Sequence, residues 1–122
     1  RPVGFGLGLR MGDEDAPDAV YEKALSILTP IGALLDGIDA SQMKRGGGGA
    51  DIGPLMKDGV PGMGLRTVGE HYFDWHHTEA DTLDKVDPVN FRKAMATLGV
   101  TSFILADMPG TLPRFEQPVE ER

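Results

Sequence analysis

His71, His76 and His77 are the only histidines of the chain, and all fall inside one stretch, HYFDWHHTEADTLDKVDP, residues 71–88. Neutral imidazole is the commonest protein ligand for zinc, and its second ring nitrogen usually donates to a carboxylate that fixes the ring. Asp74, Glu79, Asp81 and Asp84 lie close enough along the chain to take that orienting part. A zinc site needs three or more protein ligands, however. His76 and His77 point to opposite sides of an extended backbone, so they are not expected to share one metal. The same residues also read as a satisfied turn, because Thr78 and Asp81 have the spacing of a capping box. On that reading Tyr72, Phe73 and Trp75 are core and the acids form a solvated face. Both readings fit the local pattern.

Other chemistries find less support. The chain has no cysteine, which excludes a thiolate nucleophile, a cysteine-ligated zinc and any disulfide framework. Ser26, Ser41 and Ser102 stand in no nucleophile-elbow context, and no H-E-x-x-H is present. Paired carboxylates for glycoside cleavage cannot be selected from 19 acidic residues. The glycines of GFGLGLR lack the G-x-G-x-x-G spacing of a dinucleotide site, and no helix follows them at once.

The elements that must position the histidine loop are legible in part. GFGLGLR reads as a short strand. Asp13, Glu14 and Asp15 suit the positive end of a helix dipole and Pro17 suits a first turn, which predicts a helix start there. Val20, Ala24, Ile27 and Leu28 recur at helical spacing, and Pro30 is expected to end or kink that helix. ALLDGIDASQM reads as a turn and a short strand. KRGGGGAD reads as a loop whose last residue, Asp51, can cap a short helix closed by Gly59. VPGMGLRTV reads as the next strand. Asp87 is a natural N-cap with Pro88 at the first helical position, and about twenty helical residues follow. The second half of that helix is apolar nearly all round, which predicts burial on several sides. Alternation of this kind implies an α/β layered fold with a mostly parallel sheet. With so few strands, the chain reads as the closing part of a larger sheet.

At 122 residues the chain fits one domain. A net charge of −7 argues against a nucleic-acid partner. No run approaches the ~20 apolar residues of a membrane span. The chain opens RPVGFGLGLR without a methionine and shows no signal peptide, so a fragment or processed product is expected, with any targeting segment upstream. The acidic end FEQPVEER is expected to be a solvated tail, giving a division into 1–114 and 115–122.

Three blocks, GGADIGPLMKDGVPGMGL, YFDWHHTEADTLDKVDPVNF and ADMPGTLPR, resemble in order the C-terminal end of the co-catalytic di-zinc exopeptidases, which include the secreted aminopeptidases and carboxypeptidase Q. The resemblance covers residues 3 to 114. It implies the C-terminal portion of a three-layer α/β/α zinc-peptidase sandwich. In the family pattern H-T-x-x-D-T the histidine is a zinc ligand, and residue by residue that position is His77, with Thr78, Asp81 and Thr82 completing the motif. Thr78 and Asp81 are thereby implied as supports of the ligand. His76 matches a preceding histidine that is not the expected ligand. Asp51 matches the acid of the G-x-D-I block and takes a supporting role, while Tyr72 and Phe73 fall where the family lines its substrate pocket.

The family's other zinc ligands and its general-base glutamate precede the matched region, the last of them just before Arg1, and none can be identified in the chain. For a complete enzyme the resemblance implies two zinc ions, a peptide or dipeptide substrate, and a glutamate that takes the proton of a metal-bound water. It also implies export to the periplasm or medium. The chain alone, without the N-terminal portion of the same catalytic domain, is expected to lack activity. Two rivals share the fold: a metal-free receptor-like or interaction homologue, and an acyltransferase of the glutaminyl cyclase type.

Overall fold

The computed structural model describes residues 1–69, 74 and 76–115. The expectations placed on Tyr72, Phe73 and Trp75, and on the tail from 116 onward, lie outside the described residues. Phe115, assigned to the tail from sequence, packs against the core.

Strand β1 (Pro2–Gly8) alternates apolar residues with glycine and is buried throughout. Period two puts Val3, Phe5 and Leu7 on one face and Gly4, Gly6 and Gly8 on the other. The apolar face meets α1 (Asp18–Ala33). Leu7, Leu9, Ala16, Tyr21, Ala24, Leu28 and Ile31 form one buried cluster. At roughly 1.5–3 kcal/mol for each fully buried leucine, this cluster ties α1 to the end of β1. Of the apolar face expected for α1, Ala24 and Leu28 are buried while Val20 and Ile27 are partly so; Tyr21 and Ile31 complete it. On the glycine face, a Cβ at Gly6 would collide with the Gly46 carbonyl, and one at Gly47 with the Gly6 carbonyl. Glycine at these positions lets the loop at 46–48 cross the sheet backbone to backbone.

Strand β4 (Gln42–Arg45) pairs parallel to β1, and β5 (Gly62–Thr67) pairs antiparallel to it, in the order β4-β1-β5. The parallel pair requires a crossover, and α1 supplies it. Helices over a mixed sheet with parallel pairing make an incomplete α/β fold, as the sequence implied.

Several local expectations are corrected. The acids at 13–15 do not open α1. Arg10–Met11 (β2) and Glu14–Asp15 (β3) pair as a hairpin, with Gly12 at φ 59 in the turn. A left-handed residue between Met11 and Asp13 favours the hairpin over helical continuation, and Pro17 becomes the N-cap. Pro30 does not end α1, which runs on to Ala33. Helix α2 (Gly53–Lys57) has Ile52 at its N-cap and no side-chain cap, so Asp51 does not cap it. Gly59, at φ 87, does close it.

Helix α3 (Pro88–Asp107) starts as expected: one Asp87 carboxylate oxygen accepts from the Val89 N–H at 2.8 Å and the Asn90 N–H at 3.0 Å. Its second half is not buried on several sides. The fully buried residues are Thr97 and Thr101, while Leu98, Val100 and Phe103 are 45%, 38% and 70% exposed. The helix touches β1 and α1 with one face, on which the buried Thr97 and Thr101 are followed by the partly buried Ile104, Leu105 and Met108. No described helix is long and apolar enough to cross a membrane.

Candidate functional site

Strand β5 delivers the histidine loop. Just past its end, the Val68 N–H donates to the Arg1 carbonyl at 2.8 Å, and the chain's terminal ammonium donates to the Val68 carbonyl at 2.8 Å. The loop that leaves Val68 therefore starts beside the beginning of β1. It ends in a 3₁₀ turn (Leu83–Lys85) that leads to the Asp87 cap.

Within this loop His77 is exposed and stands at φ 55, in the left-handed region. A non-glycine residue there carries strain of about 1–2 kcal/mol, which the surrounding turn must hold. The backbone is thus not extended at the histidine pair, as the sequence reading assumed. The rings of His76 and His77 meet edge to face with centroids 3.9 Å apart, and His76 is partly buried. Downstream, the Asp81 N–H donates to the Thr78 carbonyl at 3.1 Å and the Thr82 N–H to the Ala80 carbonyl at 2.9 Å. These bonds shape the turn that follows His77.

The acids around the loop are not equivalent. Asp84 accepts from the Thr82 hydroxyl and from Lys85 Nζ at 2.9 Å, which holds its carboxyl below the usual range, the threonine bond being the larger cause. That carboxylate is committed to its neighbours. Asp81 is exposed, and no hydrogen bond joins its side chain to His77 among the described residues. Asp51 is exposed too, with no hydrogen bond or ion pair to the histidine loop among the described residues. The fold therefore brings together His76, His77, Thr78 and Asp81 in one turn, with which Asp51 forms no hydrogen bond or ion pair among the described residues.

A resident metal would need more than this. Among the described residues no group of three or more histidines or acids could hold an ion. The donor set does not fit zinc by itself: His77 is one accessible imidazole, and a tetrahedral site takes at least three protein ligands.

A second polar cluster, missed from the sequence, lies at the carboxyl end of β1, roughly 20 Å by strand length from the end where Arg1 meets Val68. The buried Tyr21 hydroxyl donates to Asp15 Oδ1 at 2.5 Å and accepts from the Leu9 N–H at 2.8 Å. Arg45 caps the cluster, with Nη2 3.0 Å from Asp15, Nη1 2.6 Å from Asp18, and its guanidinium 4.0 Å over the Tyr21 ring. The tyrosine bond first, and Arg45 after it, hold the Asp15 carboxyl below its ordinary value despite some burial. Burial and the same carboxylate push the Tyr21 phenol up. The tyrosine-to-arginine spacing follows no local period, so no sequence signal announced this cluster.

The described residues form an α/β segment in which the exposed His77 stands in a strained turn, with no complete metal site among them. Relatives give that segment its class. Carboxypeptidase Q of Bos taurus is 34% identical over 107 residues, 88% of this chain and 21% of that protein. The Homo sapiens protein of the same name is 37% identical over 93 residues, 76% of this chain and 20% of its own length. For Xenopus laevis carboxypeptidase Q the identity is 36% over 92 residues, 75% of this chain. No protein-family model matches the chain, and no solved structure matches it significantly. The chain is a carboxypeptidase Q-like sequence, related to that metallopeptidase family over most of its length. It spans about a fifth of the length of the curated relatives it matches.

Proposed function

We propose that the chain is the C-terminal part of an exported zinc exopeptidase that hydrolyses peptide bonds at chain ends, and that His77 is one of its metal ligands. The observation that carries this reading is the identity to carboxypeptidase Q across 88% of the chain, combined with His77 at the H-T-x-x-D-T position. Two structural features support it. The His77 imidazole is exposed in a left-handed turn, as a ligand awaiting partners must be. The start of β1 is hydrogen-bonded to Val68, so polypeptide entering at Arg1 would arrive where the loop that carries His77 begins.

On this reading His77 contributes a neutral imidazole and the remaining donors come from preceding polypeptide. Thr78 and Asp81 shape and support the His77 turn. Asp51, Tyr72 and Phe73 act on the substrate side, by resemblance. The exposed apolar side of α3 offers the surface on which that preceding polypeptide packs.

The test is activity on dipeptides and amino-acid anilides, measured for the 122-residue chain alone and for the chain joined to its preceding coding sequence. The joined protein should hydrolyse them and lose the activity to a chelator; the chain alone should show no rate. A metal-dependent rate from the chain alone would overturn the incomplete-site reading. A folded, inactive joined protein would favour the metal-free receptor-like alternative.

A further inference from the structure

We propose that the cavity at the carboxyl ends of β1 and β4 binds a small carboxylate, with Arg10 as the group that recognises it. Crevices at the carboxyl ends of parallel strands are the usual ligand sites of open α/β sheets. This one has a volume of about 470 Å³, and its walls include Arg10, Asp13, Asp15, Tyr21, Arg45 and Gly47.

The argument rests on charge accounting. Arg45 is engaged by Asp15, Asp18 and the Tyr21 ring. Asp15 spends Oδ1 on the Tyr21 hydroxyl and the Ala16 N–H, and Oδ2 on Arg45. Asp13 has Lys57 Nζ at 3.9 Å, with both side chains exposed. Arg10 faces Asp15 across the hairpin, yet that carboxylate is already used. Among the described residues the Arg10 side chain has no ion pair or hydrogen bond, and its Nε is shut off from solvent without a partner. On the cavity wall Arg10 is thus a permanent cation without an acid partner among the described residues, which favours an anionic ligand there.

The chemistry of the missing partner follows from the walls. A guanidinium fork matches the two oxygens of a carboxylate. Asp13 and Asp15 disfavour a dianion such as phosphate at the same place. The exposed Asp13 carboxylate suits an ammonium, so an α-amino acid would bind more tightly than a plain organic acid. This assignment is independent of the peptidase reading.

Acetate, glycine and inorganic phosphate, each titrated into the 122-residue chain at constant ionic strength, test it, with sodium chloride as the control. The readouts are the Arg10 Nε–Hε NMR signal and the unfolding midpoint. Saturable shifts are expected with acetate and glycine, about tenfold weaker in Arg10→Gln and only partly restored in Arg10→Lys. Asp13→Asn should weaken glycine while leaving acetate as tight or tighter, since it removes the ammonium's partner and a like charge facing the carboxylate. If Arg10→Gln fails to fold, the wild-type titration and Asp13→Asn still decide. No saturable shift in the wild type, an equal response in Arg10→Gln, or tighter phosphate than acetate would each overturn the proposal.

Discussion

Arg1 and Val68 are hydrogen-bonded to each other in both directions, at 2.8 Å each way. This pair of hydrogen bonds fastens the start of β1 to the exit of β5. A residue placed just before Arg1 would therefore emerge beside Val68, where the loop that carries His77 begins.

The Tyr21 hydroxyl is the hinge of the polar cluster at the opposite end of β1. Tyr21→Phe removes the acceptor of the buried Leu9 N–H and the donor to Asp15. Leaving a buried donor unmade costs about 1–3 kcal/mol. Urea unfolding should show a loss of that size with an unchanged m-value; a change within about 0.5 kcal/mol, the range of neutral surface substitutions, would contradict it.

Asp15 sets an acid limb. Its folded carboxyl lies below the ordinary value of 3.8, because the Tyr21 hydroxyl and then Arg45 favour the charged form. A group depressed on folding stabilises the protein above its unfolded pKa, and that contribution is lost as pH falls through the folded value. Stability should thus fall as pH drops below about 4, the unfolded carboxylate range. Asp15→Asn should lower stability at neutral pH and flatten this limb. Parallel acid limbs for the two proteins would exclude Asp15 as the source.

Legibility from sequence divides along local and long-range lines. Strands β1 and β5 and the start of α3 at Asp87–Pro88 were readable, since period-two alternation and capping are local. Ala24 and Leu28 of α1 were readable for the same reason. The hairpin at 10–15 was not, because the acids there serve Tyr21 and Arg45 rather than a helix dipole. Asp51 had the right residue type for a cap, but the turn places Ile52 at that position. The inward face of α3 was misread because apolar periodicity says which face wants burial, not whether this chain supplies the cover. The histidine turn came from the H-T-x-x-D-T resemblance; the left-handed backbone at His77 left no trace in residue type.

Helix α3 yields a prediction about association. Phe103 is 70% exposed, so Phe103→Glu in the isolated chain should change unfolding free energy by no more than about 0.5 kcal/mol. Sedimentation velocity should show less self-association in the variant. If preceding polypeptide covers this face, as proposed, the same change in the joined protein should cost roughly 1.5–3 kcal/mol or more. An equal, small effect in both contexts would mean that the face stays open.

The strain at His77 predicts opposite responses in fold and function. His77→Gly relieves the left-handed penalty and should stabilise the chain by about 1 kcal/mol, since glycine occupies φ near 55 without cost. Thermal unfolding of the two proteins measures it, and a destabilised glycine variant would show that the imidazole packs rather than waits.

Metal content of the joined protein bears most directly on the central claim. Elemental analysis after exhaustive dialysis should find the two-metal complement in the wild type. His77→Ala should hold one zinc equivalent fewer. A His77→Ala protein that retains both zincs tightly would contradict the assignment of His77 as a ligand.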